Sequence, residues 1–302
     1  MIKKILFLIV LGSMCAVFAV QAVQAAHKNN SASTAQHVKA SKIYSALPRL
    51  RSSIAMIYDE QGQVPIYSKG ADTVVPIASI VKLMTAMVLL DAQLPMDEVI
   101  TISEQDIDKL KFSRSRMRVG MAFTRTEMLK LALMASENRA AAALARTFPG
   151  GEEVAIAKMN EKARELGMLN THFVDASGLH SGNVSTARDL VKMLVAAQSY
   201  DLIHTYSTAP SHIVSVQGHR PQRFGNTNPL VKNASWNIGI SKTGYTKEAG
   251  RCLVMQAHIM NRPIIVILLD SYGKNSRIGD ANRIKTWIEH AVRSDLINTV
   301  SN

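Results

Sequence analysis

The sequence predicts a mixed α/β fold: one central antiparallel sheet of five strands, assembled from both ends of the chain and flanked by helices, with a mainly helical lobe inserted between its halves. Three observations carry this. Two short apolar runs, 53–58 and 64–68, flank the turn signal Asp59-Glu60-Gln61-Gly62 and read as a hairpin. Three further apolar runs, 238–243, 251–259 and 263–270, crowd the end of the chain with connections short enough to favour antiparallel pairing. Between these groups helical periodicity dominates.

The elements follow in order. Residues 1–25 carry Lys3 and Lys4, an apolar stretch over 5–20, and small residues around Val23-Gln24-Ala25. That is a signal-peptide pattern, and it predicts export to the periplasm. The apolar stretch is shorter than the roughly 20 residues a membrane span needs. Residues 26–50 are rich in Ser, Ala, Asn, His and Lys without apolar periodicity, which predicts a flexible leader. Residues 51–90 and 231–302 form the sheet-containing lobe, and 91–230 the helical lobe.

Within the first lobe, Pro76 precedes a stretch, 80–90, that is apolar almost all round and predicts a buried helix. In the helical lobe, 127–135, 138–145, 152–166 and 187–197 carry helical patterns, and Gly167, Gly178 and Gly182 punctuate the connections. Ile284, Trp287, Ile288, Ala291 and Val292 mark one face of a last helix, which is predicted to dock on the sheet. Membrane contact is then at most peripheral.

With 302 residues, 47% hydrophobic and 19% charged, the composition is globular. Formal net charge is +12, and loss of Lys3 and Lys4 would leave +10. The positive residues are scattered and do not interleave with aromatics, which argues against a nucleic-acid partner. A solvated basic surface, or attraction to a carboxylate-rich polymer, accounts for them. Cys15 falls in the signal peptide, so Cys252 stands alone in an apolar run and is predicted to be an inert, packed thiol. His172, His180, His204, His212 and His219 lack metal-ligand spacing, so no metal and no cofactor is predicted.

The chemistry gathers at three separated places. Ser79-Ile80-Val81-Lys82 opens the buried helix, and the i, i+3 spacing sets hydroxyl and amine on one face. A serine nucleophile needs a base, and lysine serves only when neutral. Two features would lower its pKa: apolar neighbours Val81, Leu83 and Met84, and a second lysine repelling its charge. A shift of about three units corresponds to roughly 4 kcal/mol. Ser136-Glu137-Asn138 interrupts two helical runs, and Lys242-Thr243-Gly244 sits at a strand in the last third.

The order and contexts of these three motifs resemble those of the penicillin-recognising serine enzymes. The likeness extends over roughly residues 51 to 290, through Pro76-Ile77-Ala78-Ser79, Asn183-Val184-Ser185-Thr186-Ala187-Arg188-Asp189-Leu190 and Trp236-Asn237-Ile238. The chain is similar to the low-molecular-mass penicillin-binding proteins, most closely to the D-alanyl-D-alanine endopeptidase type. The resemblance implies a β-lactamase/transpeptidase-like fold and hydrolysis of D-alanyl-diaminopimelate cross-links in peptidoglycan through an acyl-enzyme. β-Lactams would be covalent inhibitors.

It also implies Ser79 as nucleophile, Lys82 as its base and Ser136 as the relay toward the leaving amine. Asn138 would orient Lys82 and hold the substrate peptide. Lys242 would supply the repelling charge, and with Thr243 would bind the substrate carboxylate. Gly244 would let a strand-like substrate approach without a Cβ in the way. The N–H groups of Ser79 and Tyr245 would form the oxyanion hole. Arg277 falls where the family often carries an arginine for the carboxylate.

Three alternatives share parts of this pattern. A β-lactamase needs a glutamate that activates water; Glu165 stands near Leu169-Asn170, but one residue too far along. A catalytically silent sensor is disfavoured because Lys82 and Lys242 are both present. A carboxypeptidase of the anchored kind would carry a further β-domain, and fewer than about 60 residues follow Gly244, too few for one of typical size.

Overall fold

The structure, a computed structural model, describes residues 47–300 with the exception of 217 and 219. The expected signal peptide and nearly all of the expected leader lie outside the described residues. Strands β1 (Ser52–Asp59), β2 (Val64–Lys69), β3 (Asn237–Thr246), β4 (Gly250–Ile259) and β5 (Arg262–Ser271) form one sheet in the order β2-β1-β5-β4-β3. Every neighbouring pair is antiparallel. The sheet joins the two ends of the chain as the sequence predicts: β1 pairs with β5, with Ile57 opposite Val266.

The apolar runs of β4 and β5 are continuous because both faces of the sheet are covered. In β5, Ile265, Ile267 and Leu269 enter one core cluster, while Ile264, Val266 and Leu268 enter the other. This is the period of two expected of a strand, with neither face left to water. Met260 and Asn261, at φ 51° and 61°, form the tight turn between β4 and β5, a backbone twist suited to a two-residue hairpin.

On one face lies α1 (Val81–Asp91), buried from Val81 through Leu89 with Lys82 included. Around it pack α2 (Arg125–Met134), α3 (Asn138–Arg146) and α4 (Gly151–Glu165), then α5 (Ala187–Ala197) and α6 (Asp201–Ser207). A capping box opens α2: the Glu127 N–H donates to Thr124 Oγ1 at 3.1 Å, and the Thr124 N–H donates to Glu127 Oε2 at 3.0 Å. On the other face lies α7 (Ser276–Val300). Its Ala281, Ile284 and Ile288 are fully buried against Leu253, Met255, Val266 and Leu268. The Trp287 ring meets Tyr67 edge-on at 6.4 Å. The last helix therefore docks on the sheet, as its apolar face predicts.

The segment 91–230 is less helical than its sequence suggests. It holds two small strand pairs, Val99–Thr101 with Ala122–Thr124 and Ser211–Val214 with Gln222–Gly225. Strands of three or four residues are too short to impose an alternating pattern.

One carboxylate fastens the start of the fold to its end. Asp280, at the first turns of α7, accepts the N–H of Arg51 at 3.0 Å, the N–H of Ser52 at 2.7 Å and the Ser52 hydroxyl at 2.6 Å. Ser52 and Ser271 share a further hydrogen bond of 2.6 Å between β1 and β5. Burial alone would raise the Asp280 pKa, but the bonds from Ser52, Arg51 and Arg283 outweigh it and hold it below the usual value. The stability it contributes is thus present at neutral pH and is lost as pH falls through the folded-state pKa. Asp280→Ala should cost about 2–4 kcal/mol in urea unfolding at pH 7, since it orphans buried donors. A cost below about 1 kcal/mol would show that this tie is dispensable.

Candidate active site

Three distant stretches meet at one cleft. The chain enters it through a 3₁₀ turn, Ala78–Ile80, that leads directly into α1. Ala78 has φ 47°, a left-handed backbone that costs a non-glycine residue about 1–3 kcal/mol. Ser136, on the facing wall between α2 and α3, is also left-handed at φ 59°. Gly178 packs on the first turn so closely that a Cβ would lie 2.1 Å from the Ala78 carbonyl oxygen and 2.8 Å from the Ser79 nitrogen. Only glycine fits there.

Lys82, the second residue of α1 and one turn beyond Ser79, is 1% exposed. Its Nζ donates to Ser79 Oγ at 2.9 Å, to Asn138 Oδ1 at 2.7 Å and to the Ser177 carbonyl at 2.5 Å. These three acceptors use every proton an ammonium carries. The carbonyl of Ser177 is itself held in place. Asp175 accepts from the Ser177 N–H at 2.6 Å, the Ser177 hydroxyl at 2.9 Å, the Gly178 N–H at 2.5 Å and the His180 N–H at 2.7 Å. Fully buried Asn183 donates to the same carboxylate at 2.9 Å and accepts from the Val174 N–H, while its carbonyl accepts from the Ile77 N–H at 3.1 Å. The loop and the nucleophile turn are one hydrogen-bonded unit.

Burial lowers the Lys82 pKa from 10.5 to about 7, against the opposing pull of Asp175 and Glu137. A change of that size corresponds to about 5 kcal/mol. Lys242 is driven well below its ordinary value, first by burial, then by repulsion from Lys82 and Arg277. Burial, one of the two features the sequence suggested, is the largest cause of the lowering at Lys82, and the two buried amines also repel each other. Glu137 beside them has a raised pKa because it is buried, although the Ser115 hydroxyl donates to it at 2.7 Å.

The opposite wall is β3. Lys242 Nζ donates to Ser136 Oγ at 2.8 Å and to the Thr243 carbonyl at 2.9 Å, so the Lys-Thr-Gly strand is joined to the Ser-Glu-Asn wall. Thr243 Oγ1 donates to Thr227 Oγ1 at 2.6 Å. Gly244 has a reason within the fold itself. A Cβ on it would point at the protein's own turn, 3.0 Å from the Ile77 carbonyl oxygen and 3.2 Å from the Ser79 nitrogen. Its smallness lets β3 lie against the nucleophile turn.

Arg277 is buried and its Nη1 donates to the carbonyls of Gly244 at 2.7 Å and Cys252 at 3.1 Å. It supports β3 and adds positive potential at Lys242. Tyr245 is 55% exposed, with the Arg251 guanidinium 4.3 Å over its ring. Cys252 is buried, its thiol pKa pushed up to about 11 by that burial. Glu165 is exposed at the end of α4, in a surface groove with Asp91, Lys158 and Lys162.

Sequence reading missed the residues that hold the others. Gly178 marked a connection, but nothing in Asp175-Ala176-Ser177-Gly178 placed that loop under Lys82. Ser113 accepts from Asn138 Nδ2 at 2.9 Å, so one amide hydrogen assigned to substrate is already in use. Nothing in the local sequence signals that contact.

Comparison with known proteins agrees with this geometry. Residues 37–273 match the family model described as D-alanyl-D-alanine carboxypeptidase, peptidase family S11. The chain is 47% identical to a D-alanyl-D-alanine endopeptidase of Pseudomonas aeruginosa, over 80% of this chain and 78% of that one. It is equally 47% identical to a D-alanyl-D-alanine endopeptidase of Escherichia coli K12, over the same shares. Among solved structures, the Streptomyces K15 DD-transpeptidase superposes with a TM-score of 0.74 at 28% identity, covering 80% of this chain and 98% of that one. The fold is thus that of the β-lactamase-like DD-peptidases and transpeptidases, and the chain belongs to the serine DD-peptidases of family S11.

Proposed function

We propose that this hydrolase is a D-alanyl-D-alanine endopeptidase of the periplasm, opening D-alanyl-diaminopimelate cross-links of peptidoglycan through an acyl-enzyme on Ser79. One observation carries the reading: the Ser79 hydroxyl lies 2.9 Å from a buried amine whose pKa is about 7, so about half of Lys82 is neutral at pH 7. Neutral Lys82 takes the hydroxyl proton as Oγ attacks the D-alanyl carbonyl. The oxyanion is met by the N–H groups of Ser79 and Tyr245. As the tetrahedral adduct collapses, the C–N bond breaks and the leaving amine receives a proton through the Ser136 hydroxyl, which Lys242 holds at 2.8 Å. Lys242 and Thr243 attract the carboxylate beside that amine. Water then cleaves the ester and restores Ser79. β-Lactams, whose ring carbonyl presents the same electrophile, acylate Ser79 covalently.

The endopeptidase reading rests on the relatives. Two relatives bearing that name are 47% identical and a third, of Haemophilus influenzae, 35%, whereas a Streptomyces relative named D-alanyl-D-alanine carboxypeptidase is 32% identical. Export rests on the sequence of residues 1–25; among the described residues no helix is long and apolar enough to cross a membrane. Glu165, the candidate deacylation base of a β-lactamase, sits in a different groove from Ser79, so slow release of bound penicillin is expected.

Purified cross-linked muropeptide dimers should be converted to monomers, as read by mass spectrometry, and Ser79→Ala should reduce that rate at least about 10³-fold. Loss of terminal alanine alone would instead mark a carboxypeptidase, and equal activity in the variant would remove Ser79 from the mechanism. The acylation rate by a β-lactam should rise about tenfold per pH unit below pH 7 and level off above it, because the amine must be unprotonated. A rate still climbing at pH 9 would mean that Lys82 is not the base.

A further inference from the structure

The two walls of the cleft are joined a second time, away from the catalytic groups. Lys111 Nζ and Glu248 Oε1 are 2.5 Å apart. Lys111 belongs to the loop that carries Ser113, the partner of Asn138; Glu248 lies in the turn between β3 and β4. Among the described residues this is the one ion pair linking the wall of Ser136 and Asn138 to the β3–β4 turn.

Neither partner is loosely placed. Asp108, 8% exposed, accepts the N–H groups of Leu110, Lys111 and Ser113 at 2.9, 2.8 and 2.8 Å and so fixes the loop. In the turn, the Ala249 N–H donates to Thr246 Oγ1 at 3.1 Å. The charged ends themselves remain reachable, with side-chain exposures of 32% and 40%.

Position along β3 decides what this pair meets. On the reading above, the leaving group's carboxylate sits at Lys242 and Thr243, and the scissile carbonyl at Tyr245. Glu248 follows in the turn just beyond the end of β3 at Thr246, on the far side of Tyr245 from Lys242. The acyl-donor part of the substrate, ahead of the D-alanine, therefore runs toward Lys111 and Glu248.

We propose that Lys111 and Glu248 form a clasp across the donor end of the cleft that selects substrates whose residue ahead of the D-alanine carries both an amine and a carboxylate on its side chain. The selection follows from counting pairs. A neutral side chain must leave the clasp shut or break it without replacement. A side chain with an amine alone satisfies Glu248 but strips Lys111, one pair lost for one gained. A side chain with both charges replaces one pair by two. Diaminopimelate, already inferred at the cross-link, has that chemistry. The proposal rests on the orientation assigned by the proposed function, and deepens it by naming a specificity site.

The test is binding in the Ser79→Ala protein, so that turnover plays no part. Three peptides ending in D-alanyl-D-alanine would be compared by calorimetric titration, with diaminopimelate, lysine or norleucine at the preceding position. The diaminopimelate peptide should bind about three- to fivefold more tightly than the lysine peptide, the scale of one partly exposed ion pair. The preference should shrink at 0.5 M salt. Adding Lys111→Met should bring the ratio close to one, because both peptides then gain only the amine–Glu248 pair. Adding Glu248→Gln should keep the preference for diaminopimelate, whose carboxylate still gains Lys111, with thermal melting confirming that each variant is folded. An unchanged ratio in Lys111→Met, a ratio near one in Glu248→Gln, no preference in the parent, or equal weakening of all three peptides would overturn the clasp. Failure of the native enzyme to cleave cross-links would sink the proposed function separately, since the binding ratios do not depend on cleavage.

Discussion

An ammonium group enclosed by protein is the constraint around which the cleft is organised. Lys82 is 1% exposed within a helix whose neighbouring side chains are almost all apolar. Removing water from its charge shifts the proton equilibrium by about 5 kcal/mol, more than most single interactions in a folded domain. The same amine has three well-placed acceptors, and Asp175 and Glu137 pull its pKa back upward. Burial and the two carboxylates leave the amine near pH 7, where a base is most useful. An apolar pocket without the three acceptors would leave an amine free to turn; stronger anions would keep it charged.

That balance explains the rigidity of what surrounds it. Two left-handed backbones, at Ala78 and Ser136, stand on either side of the nucleophile. Such strain persists only where neighbouring structure over-determines it. Here Asp175 and Asn183 fasten the Ser177 loop to the nucleophile turn, and Gly178 and Gly244 press on that turn from two sides. Beneath it the sheet is covered on both faces, and Asp280 ties β1 to α7. Residues far from Ser79 thus contribute to the position of one hydroxyl.

Much of this was legible in the sequence, and what was not has a physical reason. The five strands were readable as short apolar runs bounded by turn signals, and the docking of α7 because its apolar residues recur about every 3.6 positions. Ser79, Lys82, Ser136, Asn138, Lys242 and Thr243 were readable because the chemistry requires those side chains in recurring motifs, and they do converge. The contacts that support them were not. Ser113 and Asn138 are 25 positions apart, and Lys82 and the Ser177 carbonyl 95. A main-chain carbonyl is the same in every residue, so no side-chain pattern announces it. Gly244 was identified, but its contact with the nucleophile turn was not, because a glycine's sequence does not say which surfaces approach it. The short strand pairs at 99–124 and 211–225 escaped because they are shorter than the period that would reveal them.

The most direct test of the account is the protonation of Lys82 itself. Titration of lysine side-chain carbons by NMR, in protein labelled at lysine and assigned with Lys82→Met, should show one resonance moving with a midpoint near pH 7. Exposed lysines should titrate above about 10. A Lys82 midpoint above about 10 would contradict the central claim, because the nucleophile would then face an ammonium with no capacity to accept its proton.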